Sequence, residues 1–542
     1  ITHPESCIPA TVRDSFVQFS PSSWLTCNSA GCVDTMDAQS PGGRTFSRRA
    51  SIQTLDAGLS GLRSKTYPCL DDKPMLVMKF SGSTLKTADL MKDAAGLVRA
   101  NLPQRPVVVV SAIGSSTNKL LEAAQAALDT GIVDVSEIQT QHEEVMSQLK
   151  IECEEIKELF DQLKRILSGI AMLKELSSRT RDLVVSFGER ICVRIFAAYL
   201  NKSWNGETRI GARALDSWDI GMLTTSGSGS VSSSKSEVEI LPSVFDAVAS
   251  YFEPLAQMYR QGAAQSALYI PVVTGYIAKD QTGSITTLGR HGSDQTAAII
   301  GAALGASEVQ IWKDVDGIMT ADSQIVPSSR CVRVLTFEEM AELSSFSGTY
   351  FVHPAAVLPA WQAKVPLSIR NSTLPQDGGT KVVAELEPGE TRDGSVTTIS
   401  YKRGITMLVI RSSRMLGQHG FLAHVFELFN SHGVSVDVIA TSEVSISLTL
   451  DQGTLGDVAG LLTKLKEVAK IEVTDGLAML LLITAKSKSS SVLHEAFDVF
   501  ENAGVMVEMV SHGASNVNIT FILPDKSLLP CVQNLHTRFF EK

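Results

Sequence analysis

Met78-Lys79-Phe80-Ser81-Gly82-Ser83-Thr84 closes an apolar run over residues 75–80, and a helical pattern begins near Thr87. A short apolar strand, a turn of small residues and then a helix make the βα unit of a parallel, helix-covered sheet. Backbone N–H groups at such a turn can hold phosphate oxygens. Lys79 would add a point charge to them. Taken alone, a strand-end lysine is more often a solvated charge.

The same pattern recurs outward from this stretch. Apolar runs at 107–111, 268–274, 308–312 and 365–370 read as further strands, with helical segments such as 136–169 and 295–304 between them. Alternating strands and helices imply an α/β fold with a mainly parallel sheet. Four more segments share the small or polar chemistry of the first. Ser111-Ala112-Ile113-Gly114-Ser115-Ser116-Thr117-Asn118 follows the second strand, and Ser186-Phe187-Gly188-Glu189 lies in a helical stretch. Thr286-Thr287-Leu288-Gly289-Arg290-His291-Gly292-Ser293-Asp294 lets the backbone approach a ligand, with Arg290 able to clamp a carboxylate. Trp312-Lys313-Asp314-Val315-Asp316-Gly317 is a strand followed by an acidic turn, fit for a Mg-nucleotide or simply a type I turn. No GxGxxG follows a strand and no GxxxxGK occurs, so Rossmann and P-loop readings are weak.

The chain has 542 residues, enough for roughly three to four domains at about 150 residues each. With 44% hydrophobic and 20% charged residues it is of ordinary globular composition. Its formal charge of -10 argues against a nucleic-acid binder, and no apolar run approaches the roughly 18 residues of a membrane span. Cys153, Cys192, Cys331 and Cys531 sit far apart in apolar patterns and read as free thiols of a reducing compartment. No cysteine–histidine spacing suggests a metal site.

Residues 1–72 differ from the rest. Ser/Arg-rich sequence such as Gly42-Gly43-Arg44-Thr45-Phe46-Ser47-Arg48-Arg49 resembles an organelle transit segment, although Glu5, Asp14, Asp34, Asp37 and Asp56 dilute it. A plain disordered extension is the alternative. The Ser/Gly tract 226–236 reads as a mobile loop, and 385–393 as part of a linker.

The last 140 residues or so contain a repeat. A strand at 405–410, a helix at 421–431 and strands at 433–436 and 445–448 recur at 477–484, 492–502, 504–507 and 516–519. Gly433 to Gly504 and Ser445 to Asn516 share one offset. Each unit reads β-α-β-β and resembles the ACT domain, a small-molecule sensor usually built in pairs. The expected organisation is a leader at 1–72, a catalytic domain at 73–385, a linker at 386–402 and ACT domains at 403–474 and 475–542.

In order and context, the five segments resemble the amino acid kinase fold and, within it, the aspartate kinase family, over about residues 75–540. Family members carry K-F-G-G-[ST]-S, S-F-G-E, T-L-G-R-G-G-S-D and W-x-D-V-x-G. They also carry a stretch like Phe337-Glu338-Glu339-Met340-Ala341-Glu342-Leu343 leading to His353-Pro354. Met415-Leu416-Gly417-Gln418-His419-Gly420-Phe421-Leu422-Ala423 resembles the effector loop of the first ACT domain. Leader, kinase and ACT pair together look like the plant monofunctional, lysine-sensitive form. The departures are Ser81 and His291 in place of glycines, Ser226-Gly227 in place of aspartates, and Gln324 in place of a nucleotide-contacting arginine of bacterial relatives.

The resemblance implies a carbamate-kinase-like three-layer sandwich with a mainly parallel sheet, plus two α+β ACT domains. It implies ATP + L-aspartate → ADP + 4-phospho-L-aspartate, the first step towards lysine, threonine and methionine. Lys79 would bridge phosphate oxygens and Asp294 would orient it. Arg290 would hold the substrate α-carboxylate, Glu189 its ammonium, and Ser111, Thr117 and Ser293 the rest. Gly82, Ser83, Lys313, Asp314 and Gly317 would face the nucleotide, whose Mg²⁺ would be held by phosphates and water. Lysine would act through Met415, Gly417, Gly420, Phe421, Leu422, Asp437, Ser442 and Glu443. Threonine, or S-adenosylmethionine with lysine, is the alternative effector. A chloroplast homodimer joined through ACT domains is the expected form. Another amino acid kinase of this fold, or a decayed amino-acid sensor, remains open.

Overall fold

The computed structural model describes residues 75–541 apart from 205–209, 227–237, 262–267, 290, 347–351, 388–393, 413–418, 452–456, 485–487, 514 and 516. The expected leader, nearly all of the Ser/Gly tract and residues 388–393 of the expected linker lie outside the described residues.

The catalytic part runs β1 (Leu76–Phe80), α1 (Ala88–Ala100), β2 (Pro106–Val110), α2 (Ser116–Thr130), α3 (Ser136–Leu149), α4 (Glu154–Leu173), α5 (Ser178–Ser203), β3 (Gly211–Leu215) and β4 (Leu223–Thr224). It continues with α6 (Ser243–Arg260), β5 (Tyr269–Thr274), β6 (Ile277–Asp280), β7 (Ile285–Thr287), α7 (Gly292–Leu304), β8 (Glu308–Lys313) and β9 (Val334–Thr336). It closes with α8 (Phe337–Phe346), α9 (Pro354–Ala363), β10 (Leu367–Asn371) and β11 (Thr380–Val383). The main sheet has the order β3-β5-β2-β1-β8-β10-β11-β9 and is parallel except between β10 and β11. Its central strands are apolar throughout because both faces are covered. Leu76, Met78 and Phe80 pack under α1, α2, α4 and α5, whereas Met75 and Val77 pack with α6, α7 and α9. That alternation is the three-layer sandwich.

The single helix expected over 136–169 is two. Lys150 caps α3 in the left-handed region at φ 55°, and α4 starts afresh after Cys153. β3, β4, β6, β7, β9 and β11 are short or half-polar and were not anticipated. Cys192 and Cys531 are buried free thiols, and Cys153 and Cys331 are half-buried free ones. No described helix is long and apolar enough to cross a membrane.

The C-terminal part is one antiparallel sheet. Its elements are β12 (Val396–Arg411), α10 (Phe421–Ser431), β13 (Ile439–Thr441), β14 (Ser445–Asp451), α11 (Val458–Val468), β15 (Lys470–Thr484), α12 (Ser489–Asn502), β16 (Met509–His512), β17 (Asn518–Pro524) and α13 (Leu528–Phe540). The order is β13-β14-β12-β15-β17-β16. β12 and β15 pair along their whole length, with a register shift where Gly404 and Gly476 take φ 70° and 73°. That bulge divides the sheet into two halves. The first half, from the second part of β12 to the first part of β15, is βαββαβ; the other takes one strand from the start of β12 and then runs βαββα from the second part of β15. The second helices, α11 and α13, were not anticipated.

Two expected boundaries move. Residues 396–402, expected as linker, are strand and pair with the second half of β15. Residues 474 and 475, the expected domain junction, lie inside β15. The expected strands at 433–436 and 504–507 begin instead at Ile439 and Met509. Gly433 and Gly504, at φ 67° and 63°, follow the ends of α10 and α12, so the repeat's glycines are helix terminators.

Candidate active site

The carboxyl ends of the central strands are laced together. Ser81 N donates to Trp312 O at 3.1 Å, Ser111 N to Phe80 O at 3.2 Å, Gly275 N to Val110 O at 2.9 Å and Ser372 N to Lys313 O at 2.9 Å. Open α/β sheets bind ligands along this edge. Four of the five segments read from the sequence meet here directly.

Lys79, next to last in β1, and Lys313, last in the neighbouring β8, both reach Asp294 in the first turn of α7. Lys79 Nζ lies 2.7 Å from Asp294 Oδ1, and Lys313 Nζ lies 3.2 Å from Oδ2. Asp294 and Lys79 are fully buried or nearly so. Burial opposes the charge of Asp294, but Lys313 and Lys79 outweigh it and hold the carboxyl below the usual range. The positive end of the α7 dipole works in the same direction. Burial lowers the Lys79 ammonium, an effect that Asp294 opposes. Two ammonium groups on one carboxylate leave one positive charge for an anion. The sequence reading set Lys313 towards the nucleotide and missed that Asp294 joins it to Lys79.

His291, the N-cap of α7, sits at φ 59°, and its ring stacks on His353 at 6.0 Å. Burial first, and then the nearby cations, push its imidazole down to about 4, so it is neutral. A left-handed conformation in a non-glycine residue costs roughly 1 kcal/mol. This is where replacing a family glycine carries a backbone cost. Ser81, expected to carry such a cost if its φ were positive, has φ −75° and carries none.

Gly82 is the residue that must be small, because a Cβ there would stand 2.5 Å from Ala112 O. Gly114 N donates to Gly82 O at 3.0 Å, so the β1 and β2 turns interlock. Ser83 Oγ donates to Asp314 Oδ1 at 3.0 Å and ties the first turn to the acidic one. Gly317, at φ 121°, lies against Thr380 and Cys331.

Gly188 performs the same service on α5. A Cβ there would lie 2.8 Å from Ala112 Cβ, so glycine lets the helix close on the β2 turn. Glu189 is thereby buried, with Ala112 N donating to Oε1 at 3.3 Å. Its Oε2 has no partner among the described residues. Burial pushes the carboxyl up to about 8. Ser111 and Thr117 are half-buried beside this turn, and Ser293 packs over Gly275. Arg290 lies outside the described residues. Tyr276 was missed: it follows β5 at φ 70°, and burial first, then the nearby Glu189, push its phenol up. Its signal, a strand ending in Thr274-Gly275, is the one that found Ser81 and Ser111.

The expected effector residues are less complete. Met415 and Gly417 lie outside the described residues. Gly420, at φ 89°, precedes the first turn of α10, where Phe421 is half-buried and Leu422 exposed. Ser442 and Glu443 form the exposed β13–β14 turn, with Ser442 Oγ accepting from Ser445 N at 3.2 Å. Asp437, expected to stand ready for an ammonium group, already holds Lys402 at 3.0 Å.

A model described as the amino acid kinase family matches residues 74–371, and one described as an ACT domain matches 487–539. Aspartokinase 2, chloroplastic, of Arabidopsis thaliana is 41% identical over 481 residues, covering 86% of this chain and 84% of its own. Lysine-sensitive aspartokinase 3 of Escherichia coli (strain K12) is 32% identical over 86% of this chain and 99% of its own. The crystal structure of E. coli aspartokinase III with aspartate and ADP, in the R-state, superposes with a TM-score of 0.68 at 30% identity, over 86% of this chain and 99% of that one. The T-state structure with lysine and aspartate gives 0.62 over the same shares.

Proposed function

The chain belongs to the aspartokinase family, which transfers the γ-phosphoryl group of ATP to the β-carboxylate of L-aspartate, and from that premise we propose how its own residues do so. The observation that carries the proposal is the Lys79–Asp294–Lys313 cluster at joined strand ends, together with the unpartnered Oε2 of Glu189, whose Oε1 accepts from Ala112 N just after the neighbouring β2.

A carboxylate is already a nucleophile, so no general base is required, and catalysis consists of positioning and charge neutralisation. Asp294 holds Lys79 and Lys313 side by side, and their surplus positive charge faces the transferring phosphoryl oxygens. Gly82 and Ser83 offer backbone N–H groups to the phosphates. Asp314, tied to Ser83, and Gly317 border the nucleotide. Glu189 takes the substrate ammonium on Oε2 and ionises as it does so. Arg290 clamps the α-carboxylate, with Ser111, Thr117 and Ser293 completing the pocket. Mg²⁺ supplies further neutralisation when bound to the phosphates. Asp314 suits its outer waters, and no cluster of three acidic, cysteine or histidine ligands occurs among the described residues.

Lysine is the feedback effector, with its carboxylate at the start of α10 and its ammonium near Asp437 and Glu443. The lysine-bound bacterial relative supports this reading. The exposed edge of β13 suits pairing with a second copy, and relatives named chloroplastic support a plastid location. S-adenosylmethionine remains a second effector to assay. A hydroxamate assay with aspartate, ATP and hydroxylamine tests the activity. Product with glutamate or acetylglutamate instead, or none at all, would refute it.

A further inference from the structure

The loop after β8, residues 314–326, belongs to the catalytic part by sequence but is anchored in the regulatory sheet. Ala321 and Val326 are buried in one cluster with Val396, Ile399, Leu480 and Phe539. Ile399 N donates to Thr320 O at 2.8 Å, and Thr398 Oγ1 to Met319 O at 2.7 Å. Thr320 Oγ1 in turn shares a hydrogen bond of 2.9 Å with His536 Nε2 on α13. A cavity of about 390 Å³ lies between the two parts, lined by Asp314, Met319 and Asp322 on one side and by Thr398 and Tyr401 on the other.

One side chain of β12 reaches the second half of the loop. Tyr401 OH donates to Asp322 Oδ2 at 2.8 Å. Asp322 builds the turn that follows: Oδ1 accepts from Gln324 N at 2.9 Å, and its carbonyl accepts from Ile325 N and Val326 N. Burial and the Asp322 charge push the Tyr401 phenol up to about 12, so it remains a donor at ordinary pH.

We propose that Tyr401 is a positioning residue for the nucleotide: by holding Asp322 it sets the shape of the 314–326 loop, so the regulatory strand itself determines ADP and ATP affinity. This rests on the reading that the nucleotide lies on the Lys313-Asp314-Gly317 turn. Tyr401 touches no reacting atom. Its effect should therefore fall on nucleotide binding and spare both aspartate binding and the chemical step.

The test titrates the full chain with a fluorescent ADP and measures steady-state constants for ATP and aspartate. Tyr401→Phe should weaken ADP about five- to tenfold and raise the ATP KM alike, leaving the aspartate KM and kcat within about twofold. Tyr401→Phe combined with Asp322→Ala should be no weaker than Asp322→Ala alone, because both remove one contact. Unchanged ADP affinity in a folded Tyr401→Phe protein overturns the inference, as does an equal rise in both KM values. Asp314→Ala run in parallel locates the fault: if it too binds ADP like the parent, the nucleotide assignment is wrong, and if it binds weakly, only the role of Tyr401 is.

Discussion

Lys402 Nζ lies 3.0 Å from Asp437 Oδ2 and 3.1 Å from Asp451 Oδ2, bridging the first half of β12 to the effector half of the sheet. The carboxylate proposed to meet the ammonium of lysine therefore already holds one. The lysine effector and Lys402 compete for it. Lys402→Met should lower the lysine concentration for half-inhibition about fivefold, a coupling near 1 kcal/mol, with kcat in the absence of lysine unchanged. Asp437→Ala should instead abolish inhibition. Identical inhibition curves for the parent and both variants would remove Asp437 from the site.

Lys79→Ala should cut kcat by about 10²–10³, the usual loss for one transition-state charge contact. The fold should survive, because Asp294 keeps Lys313. Asp294→Ala removes the buried carboxylate that both ammonium groups share and should cost about 3–5 kcal/mol of stability as well as turnover. Hydroxamate formation and thermal melts separate the two outcomes. A Lys79→Ala enzyme within threefold of the parent would end the role assigned to it.

Ser81→Gly should change kcat by less than about twofold, since Ser81 is unstrained and glycine removes no more than the 2.8 Å contact of its hydroxyl with Ser83 Oγ while adding unfolded-chain entropy. Gly82→Ala should be crippled, with its Cβ driven 2.5 Å from a backbone oxygen. If Ser81→Gly raises kcat strongly, the phosphate turn needs a conformation other than the one observed.

Glu189 gives a pH prediction. Its carboxyl is raised to about 8 by burial, so the free site is mostly protonated below that and must ionise to take an ammonium. The aspartate KM should fall as the pH rises from about 6 to 8 and then level off, and Glu189→Gln should flatten the curve at a high KM. The raised pKa also means that this group's stabilisation, fully present below its unfolded value of 4.5, is lost as the pH rises through about 8. Glu189→Gln should therefore melt higher than the parent at pH 9 and not at pH 4.5. Equal melting differences at both pH values would contradict the burial of an ionisable group there.

β1, β2, β5, β8 and β10 were legible because strands buried on both faces are continuous apolar runs, and a run is a local property. The turns at Ser81, Ser111 and Lys313 were legible because strand ends followed by small residues are local too. The duplication showed through Gly433 and Gly504, whose common role is to end a helix. Tertiary structure alone decided the rest. Whether Ser81 or His291 paid for a lost glycine depended on φ, which residue identity does not specify. That Asp294 serves two lysines depended on β1 and β8 lying side by side, though they are far apart in sequence. That the first half of β12 completes the second ACT unit, and carries Tyr401 to Asp322 and Lys402 to Asp437, depended on strand pairing with β15. Such pairings are chosen by the whole buried surface, and no local stretch of sequence encodes them.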